Sequence, residues 1–179
     1  MTPMHHPASR LRSRGFSLPE LLIGVALIGI LSGVAIATGQ AQWEREQINK
    51  IAIELSGWLE SARRAALRGD TDGDGSVNGC SVTINTGSLS DGSNLATATC
   101  LTSQPLRIDN LGSRISVTVA SDANPILFSP RGTRSGGAAT ITLTLNPSGK
   151  QRCVSISGLL AMISPGQVNA GSCMANQRF

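Results

Sequence analysis

The sequence predicts an α+β protein, one long N-terminal helix followed by a small antiparallel β head, on three observations. Leu21 to Ala37 is an uncharged apolar run. Ile48, Ile51, Ala52, Leu55, Trp58, Leu59, Ala62 and Ala65 then recur at three- and four-residue steps, the period of one helix face. From Asp70 onward Gly, Ser, Thr and Asn are frequent, and short segments alternate apolar with polar residues, as strands between turns do.

Taken in order, the chain opens with a basic leader. Arg10, Arg12 and Arg14 all precede Gly15, as do both histidines, His5 and His6. The formal net charge of +4 is therefore concentrated there. Without residues 1–15 the chain keeps 12 basic against 11 acidic residues, a net of +1. The leader's charge reads as a topology signal that holds the N-terminus on the cytoplasmic side. The remaining chain has no His and no Tyr, so it lacks the commonest general base and the commonest metal ligand. No triad or acid–base pair emerges, and the expectation is a protein that is not an enzyme.

The apolar run LLIGVALIGILSGVAIA holds 17 residues and one Ser. With Phe16 to Glu20 and Thr38 it reaches roughly 35 Å as a helix, enough for a hydrocarbon core of ~30 Å. Gly24, Gly29 and Gly33 interrupt it. Each costs a helix about 1 kcal/mol in water, but small residues let helices approach closely in lipid. Glu20 opens the run. A carboxylate in lipid costs on the order of 2.5–3.5 kcal/mol near the centre and so calls for a partner, although the helix N-terminus partly offsets it. Pro19 fits a first turn, whose N–H groups have no intrahelical acceptor. The residues alone leave open a secretory signal cut near Ala35-Ile36-Ala37, an uncleaved anchor, or a processed assembly helix.

Arg14-Gly15-Phe16-Ser17-Leu18-Pro19-Glu20-Leu21-Leu22 resembles the type IV prepilin leader motif. The resemblance implies that a prepilin peptidase cuts between Gly15 and Phe16 and methylates Phe16. It also implies that Glu20 pairs with a neighbouring subunit's N-terminal amine during assembly. Such a pair is cheaper to bury than either charge alone.

The amphipathic stretch carries Glu44, Arg45, Glu46, Lys50, Glu54, Glu60, Arg63 and Arg64 on much of its other face. Glu46 with Lys50 and Glu60 with Arg64 are i,i+4 pairs worth ~0.2–0.5 kcal/mol each. Gly69 is the expected stop. The organisation is thus a leader at 1–15, a helix at 16–68 (membrane part 16–38, amphipathic part 39–68) and a β-rich head at 69–179. Strands are expected at Cys80 to Ile84, Thr97 to Thr102, Ile115 to Val119, Ile126 to Phe128, Ala139 to Leu145 and Arg152 to Ile156. Arg131-Gly132-Thr133 to Gly137 and Asn146-Pro147-Ser148-Gly149 read as hairpin turns. Aromatics are only 3%, so the core must rest on Ile, Leu, Val and Ala. Cys80, Cys100, Cys153 and Cys173 all lie in this head with no CxxC spacing. That favours two disulfides; three connectivities are open, and the local pairs Cys80–Cys100 and Cys153–Cys173 are preferred.

Ile126 to Thr133, the alternating segment after it and Arg152 to Ser157 are similar to the GspH/FimT pseudopilin family. The two resemblances together imply a pilin-like fold, the amphipathic half of the helix packed on the sheet. They imply a non-catalytic subunit, a minor pilin or type II secretion pseudopilin, whose partners are other pilin or pseudopilin subunits and the prepilin peptidase. The implied location is the bacterial inner membrane, single-pass with the head outside the cytoplasm, and then the pilus or pseudopilus. DNA-binding members carry a Gly-Arg-x-Arg element where this chain has Gly158-Leu159-Leu160-Ala161-Met162. Pilus and secretion system are not distinguished by the sequence.

Two further candidates come from the residues themselves. Asp70, Asp72 and Asp74 with Gly75 match the front of a calcium loop, though Ser81 stands where the closing Glu belongs; an acidic turn is the plainer reading. Arg131, Arg134, Lys150 and Arg152 flank one expected hairpin and would make a basic edge for DNA, or else are scattered surface charge. Trp58 reads as a core residue, and Trp43 as a membrane-interface anchor or filament contact.

Overall fold

The computed structural model describes residues 17–69, 79–101 and 104–175, the side chains of 34–38, 40 and 41 excepted. The first helix, α1, is Leu18–Arg68. The chain divides into two units, Met1–Gln40 and Ala41–Phe179.

In the first unit the carbonyl of Ser17 accepts from the amides of Glu20 (3.0 Å) and Leu21 (3.1 Å), closing the opening turn in which Pro19 sits. The side chains that follow find no burial. Leu22, Ile23, Val25, Ile28 and Leu31 each keep about 60–70% of their surface exposed, on all sides of the helix. A Cβ added at Gly24, Gly29 or Gly33 would meet nothing within 4 Å. Among the described residues no helix is long and apolar enough to cross a membrane; the described side chains of the run stop at Gly33.

In the second unit the same helix is a core element. Ile48, Ile51, Ala52, Leu55, Leu59, Ala62, Ala65 and Ala66 are buried, as the stripe requires, and Trp58 packs half-buried at the margin with Nε1 donating to the carbonyl of Gln104 (2.9 Å). Gly69 ends the helix with φ +64 and its amide bonded to the carbonyl of Ala66, the left-handed terminus that glycine adopts without a Cβ penalty. The expected Glu46–Lys50 pair gives way to Lys50–Glu54 (3.6 Å), while Glu60 takes both Arg63 and Arg64 (3.4 Å each).

Eleven strands follow among the described residues, in two antiparallel sheets. One has the order β4-β3-β1-β6-β7, from β1 (Cys80–Ile84), β3 (Asn94–Ala98), β4 (Leu106–Arg107), β6 (Ile126–Phe128) and β7 (Arg134–Ser135). The other runs β11-β10-β9-β8-β5-β2, from β2 (Gly87–Leu89), β5 (Ser116–Ser121), β8 (Ala139–Asn146), β9 (Lys150–Ser157), β10 (Met162–Asn169) and β11 (Ser172–Ala175). Strand β8 shows why the pattern was readable. Ala139, Ile141, Leu143 and Leu145 point inward and Thr140, Thr142 and Thr144 outward. The inward residues of β8, β5 and β9, those of β1, β3 and β6, and the helix stripe form one apolar cluster.

The helix, the head strands Cys80–Ile84 and Ile126–Phe128 and the turn at Asn146 to Gly149 stand where the sequence puts them; other bounds move, and the turn expected at Arg131 to Gly137 holds strand β7. The strand expected at Thr97 to Thr102 lies at Asn94–Ala98, because the chain turns into a 3-10 segment (Thr99–Leu101) that carries Cys100 back to Cys80. Five strands were not expected: β2, β4, β7, β10 and β11. Those pieces are two to four residues long, or carry Gly and Pro without alternation, as β10 does with Pro165 and Gly166.

Candidate functional site

The residues assigned a role by sequence fall in three places. Gly15 and Phe16, the expected cleavage and methylation positions, lie outside the described residues, and so do Asp70, Asp72 and Asp74 of the calcium candidate. Glu20 is described. It stands exposed in the first turn of α1, at the mouth of the exposed apolar segment.

The cysteines make two cross-links inside the head. Cys80 on β1 joins Cys100 (Cα–Cα 5.3 Å), and Cys153 on β9 joins Cys173 on β11 (Cα–Cα 5.9 Å). The second bond spans two positions of a sheet whose neighbouring strands normally lie about 4.8 Å apart, which would put its ends near 10 Å. The edge strand must therefore curl over the outer face of the sheet. Gly166 makes this possible, since a side chain there would collide with the backbone carbonyl of Met174. Cys153, on the outer face of β9, is thereby fully buried.

The four basic residues do not form one edge, which corrects the expectation that they flank a single hairpin. Arg134 belongs to β7 in the smaller sheet and is only 7% exposed. Its guanidinium donates to the carbonyl of Gly137 in the same turn, and its Nε has no acceptor. Arg131 is exposed on the turn before β7. Lys150 and Arg152 lie on β9 in the larger sheet and reach toward α1. Lys150 Nζ meets Glu44 Oε2 at 2.7 Å, and Arg152 Nε donates to Asn49 Oδ1 at 2.5 Å. The turn of residues 129–133 pairs β6 with β7, not with β8, and that difference separates Arg131 and Arg134 from Lys150 and Arg152.

What the fold builds instead is a polar junction between the start of the head helix and the end of the β8–β9 hairpin. The bond from Lys150 holds the Glu44 carboxyl below the usual carboxylate range, against a smaller opposing effect of burial, with the ammonium charge and the Ser148 hydroxyl helping. Burial lowers the Arg152 guanidinium from its usual range, and the Arg45 charge adds to the effect. Arg45, Asn49, Lys150, Arg152 and Gln167 line a cleft of about 570 Å³ there. Sequence reasoning found Lys150 and Arg152 but missed Arg45, Asn49 and Gln167. Arg45 and Asn49 lie more than 100 residues from Lys150 and Arg152, which leaves no spacing by which to find them.

The connection from β9 to β10 presents Leu159 and Leu160, and the start of β10 Met162, at 81%, 65% and 61% exposure. Ala161 is buried beneath them.

Comparison with known proteins agrees with both halves of the chain. Residues 10–36 match the prokaryotic N-terminal methylation motif, and residues 30–159 match the type II transport protein GspH. Two fimbrial proteins of Pseudomonas aeruginosa are each 41% identical over 56 residues, 31% of this chain and 36% of their own length. The chain thus spans about a third of the curated relatives it matches. No solved structure matches it.

Proposed function

This chain belongs to the GspH family of type II transport proteins, a pilin or pseudopilin subunit, and from that premise we propose that it acts as a minor pilin or type II secretion pseudopilin that enters its filament by helix packing. The observation that carries the reading is the exposed apolar segment of α1. Large side chains from Leu18 to Leu31 find no burial within the chain, and Gly24, Gly29 and Gly33 have open space around them rather than a neighbour of their own fold. Burial of that surface has to come from lipid and then from other helices. Glu20 at its mouth would take the N-terminal amine of an adjoining subunit. The prepilin peptidase would cut before Phe16, leaving the chain anchored in the inner membrane with its head outside the cytoplasm until assembly. Both disulfides suit an oxidising compartment. The work is non-covalent throughout.

Mass spectrometry of the protein from its native membrane tests the pathway. A methylated Phe16 as first residue is the expected result. A start at Thr38, or an intact leader, would end the proposal. For assembly, Glu20→Val should leave processing in place and abolish recovery of the subunit in sheared filaments. Undiminished recovery would remove Glu20 from the mechanism. The alternative of a DNA-capturing minor pilin has lost its assigned edge, since Arg134 is buried and Lys150 and Arg152 are held against the helix. Calcium at Asp70, Asp72 and Asp74 would show as a melting temperature that falls with chelator.

A further inference from the structure

We propose that the connection from β9 to β10 is a docking tip, whose apolar side chains Leu159, Leu160 and Met162 seat in an uncharged apolar recess on the head of an adjoining subunit in the filament. The proposal rests on the filament reading above and adds a contact surface to it.

Four observations carry it. First, these three are the most exposed large apolar side chains among the described residues of the head, and they are nearly consecutive. Single exposed leucines need no explanation, but a contiguous group marks a place that meets something else. Second, the turn is built to hold them outward. Ala161 is fully buried in the head core and adopts φ +50, a left-handed conformation that a residue with a side chain disfavours. Gly158 takes φ +70, and its carbonyl accepts from the amide of Ala161 at 3.2 Å. With Ala161 anchored inward, Leu159 and Leu160 are left to the solvent side. Such a conformation persists where the surrounding structure fixes it, and it presents its side chains already ordered, which lowers the entropy lost on docking.

Third, charge is missing from the whole region. No Asp, Glu, Lys or Arg stands between Arg152 and Arg178, although 15% of the chain is charged. That stretch supplies the end of β9, the turn, β10 and β11. Depletion of charge, with methionine present, is the composition found at the core of a protein interface. A tip made for a lipid surface would bring Lys or Arg for anionic headgroups, and this one brings neither. Fourth, size selects the kind of partner. A stable interface between free proteins takes about 20–30 residues a side, and two such tips facing each other would still fall far short. So small a contact suffices only for a partner that other contacts already hold close, where effective concentration replaces area. Subunits packed together through their N-terminal helices meet that condition. Contacts that propagate along a filament are heterologous, so the recess belongs to a different surface of the neighbour.

The test uses the full chain in its native cells. With Leu159→p-benzoylphenylalanine, illumination of sheared filaments should join position 159 to the head of a protein that carries its own prepilin leader, a second copy or another pilin, as identified by mass spectrometry. A crosslink to lipid, or between two copies at position 159, would overturn the recess. In parallel, Leu159→Ser with Leu160→Ser should leave the melting midpoint of the head in detergent unchanged, because both side chains are exposed. The same pair should lower recovery in filaments roughly tenfold or more, as when leucines lose a buried apolar setting. A lowered midpoint would show that these side chains serve the head's own fold and would overturn the tip. Leu159→Met with Leu160→Met keeps the apolar surface and should keep recovery; an equal loss would overturn the apolar character of the contact. If the natural protein and the Ser pair are recovered equally, only the tip fails. A natural protein absent from filaments defeats the filament reading, and the tip with it.

Discussion

Two parts of one helix differ in how their apolar side chains are buried. Between residues 18 and 33 large apolar side chains are exposed on every side, and Ile30 keeps 67% of its surface. Between residues 48 and 66 the apolar positions are confined to one stripe, and Ile48, Leu55 and Leu59 are fully buried against the chain's own sheets. The second part satisfies its hydrophobic surface by folding. The first can do so only by leaving water with something outside the chain. The lesson is that apolar content alone does not tell core from interface; angular distribution around the helix does.

The sharpest way to break this comparison is to truncate one leucine in each part. Leu55→Ala should cost the head about 2–5 kcal/mol in denaturant unfolding of the full chain in detergent, the range for a buried leucine replaced by a cavity. Leu27→Ala, 56% exposed, should leave that transition in place and act on filament incorporation instead. Equal shifts from the two would show that the N-terminal segment belongs to the head's cooperative unit.

Next in size is the cross-link that curls the edge strand over the sheet. Replacing Cys153 and Cys173 together by Ser should lower head stability by about 2–4 kcal/mol and expose residues 162–175 to limited proteolysis. Resistance equal to that of the natural protein would mean that strand pairing alone holds β11.

Glycines give a third comparison. Gly69 sits at φ +64, so Gly69→Ala should cost about 1 kcal/mol in the same unfolding assay. Gly29 has open space around it, and Gly29→Ala should not move the head transition at all. If Gly29→Ala also leaves filament recovery unchanged, close helix approach at that position is not needed.

The smallest effect concerns acid. Because Lys150 holds the Glu44 carboxyl below its ordinary range, the pair stabilises the folded head above the unfolded carboxylate value. That contribution is lost as pH falls through the lower, folded value. The melting midpoint of Glu44→Gln should therefore lie below that of the natural protein at pH 7 and approach it in strong acid. A gap that stays constant with pH would mean that the junction does not depend on the ionised pair.

Much of this architecture was legible in the chain itself. The apolar run, the stripe from Ile48 to Ala65, the stop at Gly69 and the alternation of Ile141, Leu143 and Leu145 each follow from local periodicity, because burial on one face imposes the period of the element. The local cysteine pairing was also within reach, each pair being 20 residues apart. Strands β10 and β11 were not legible. Their pairing depends on Gly166 yielding to a carbonyl and on a disulfide that draws the edge across the sheet, which no alternation announces.

The candidate sites divide in the same way. Sequence alone determined that the N-terminal segment must find burial outside the chain, because a uniformly apolar helix headed by a carboxylate carries that requirement in its composition. It also determined the head's dominant strands. Tertiary structure decided which charged residues meet. Arg134 turned inward with its own hairpin, while Lys150 and Arg152 crossed to Glu44 and Asn49 and, with Arg45, opened a cleft. Side-chain charge has no periodicity that fixes a distant partner. Only the pairing of β8 with β9, and the burial of the helix stripe against them, brings residues more than 100 apart to one place.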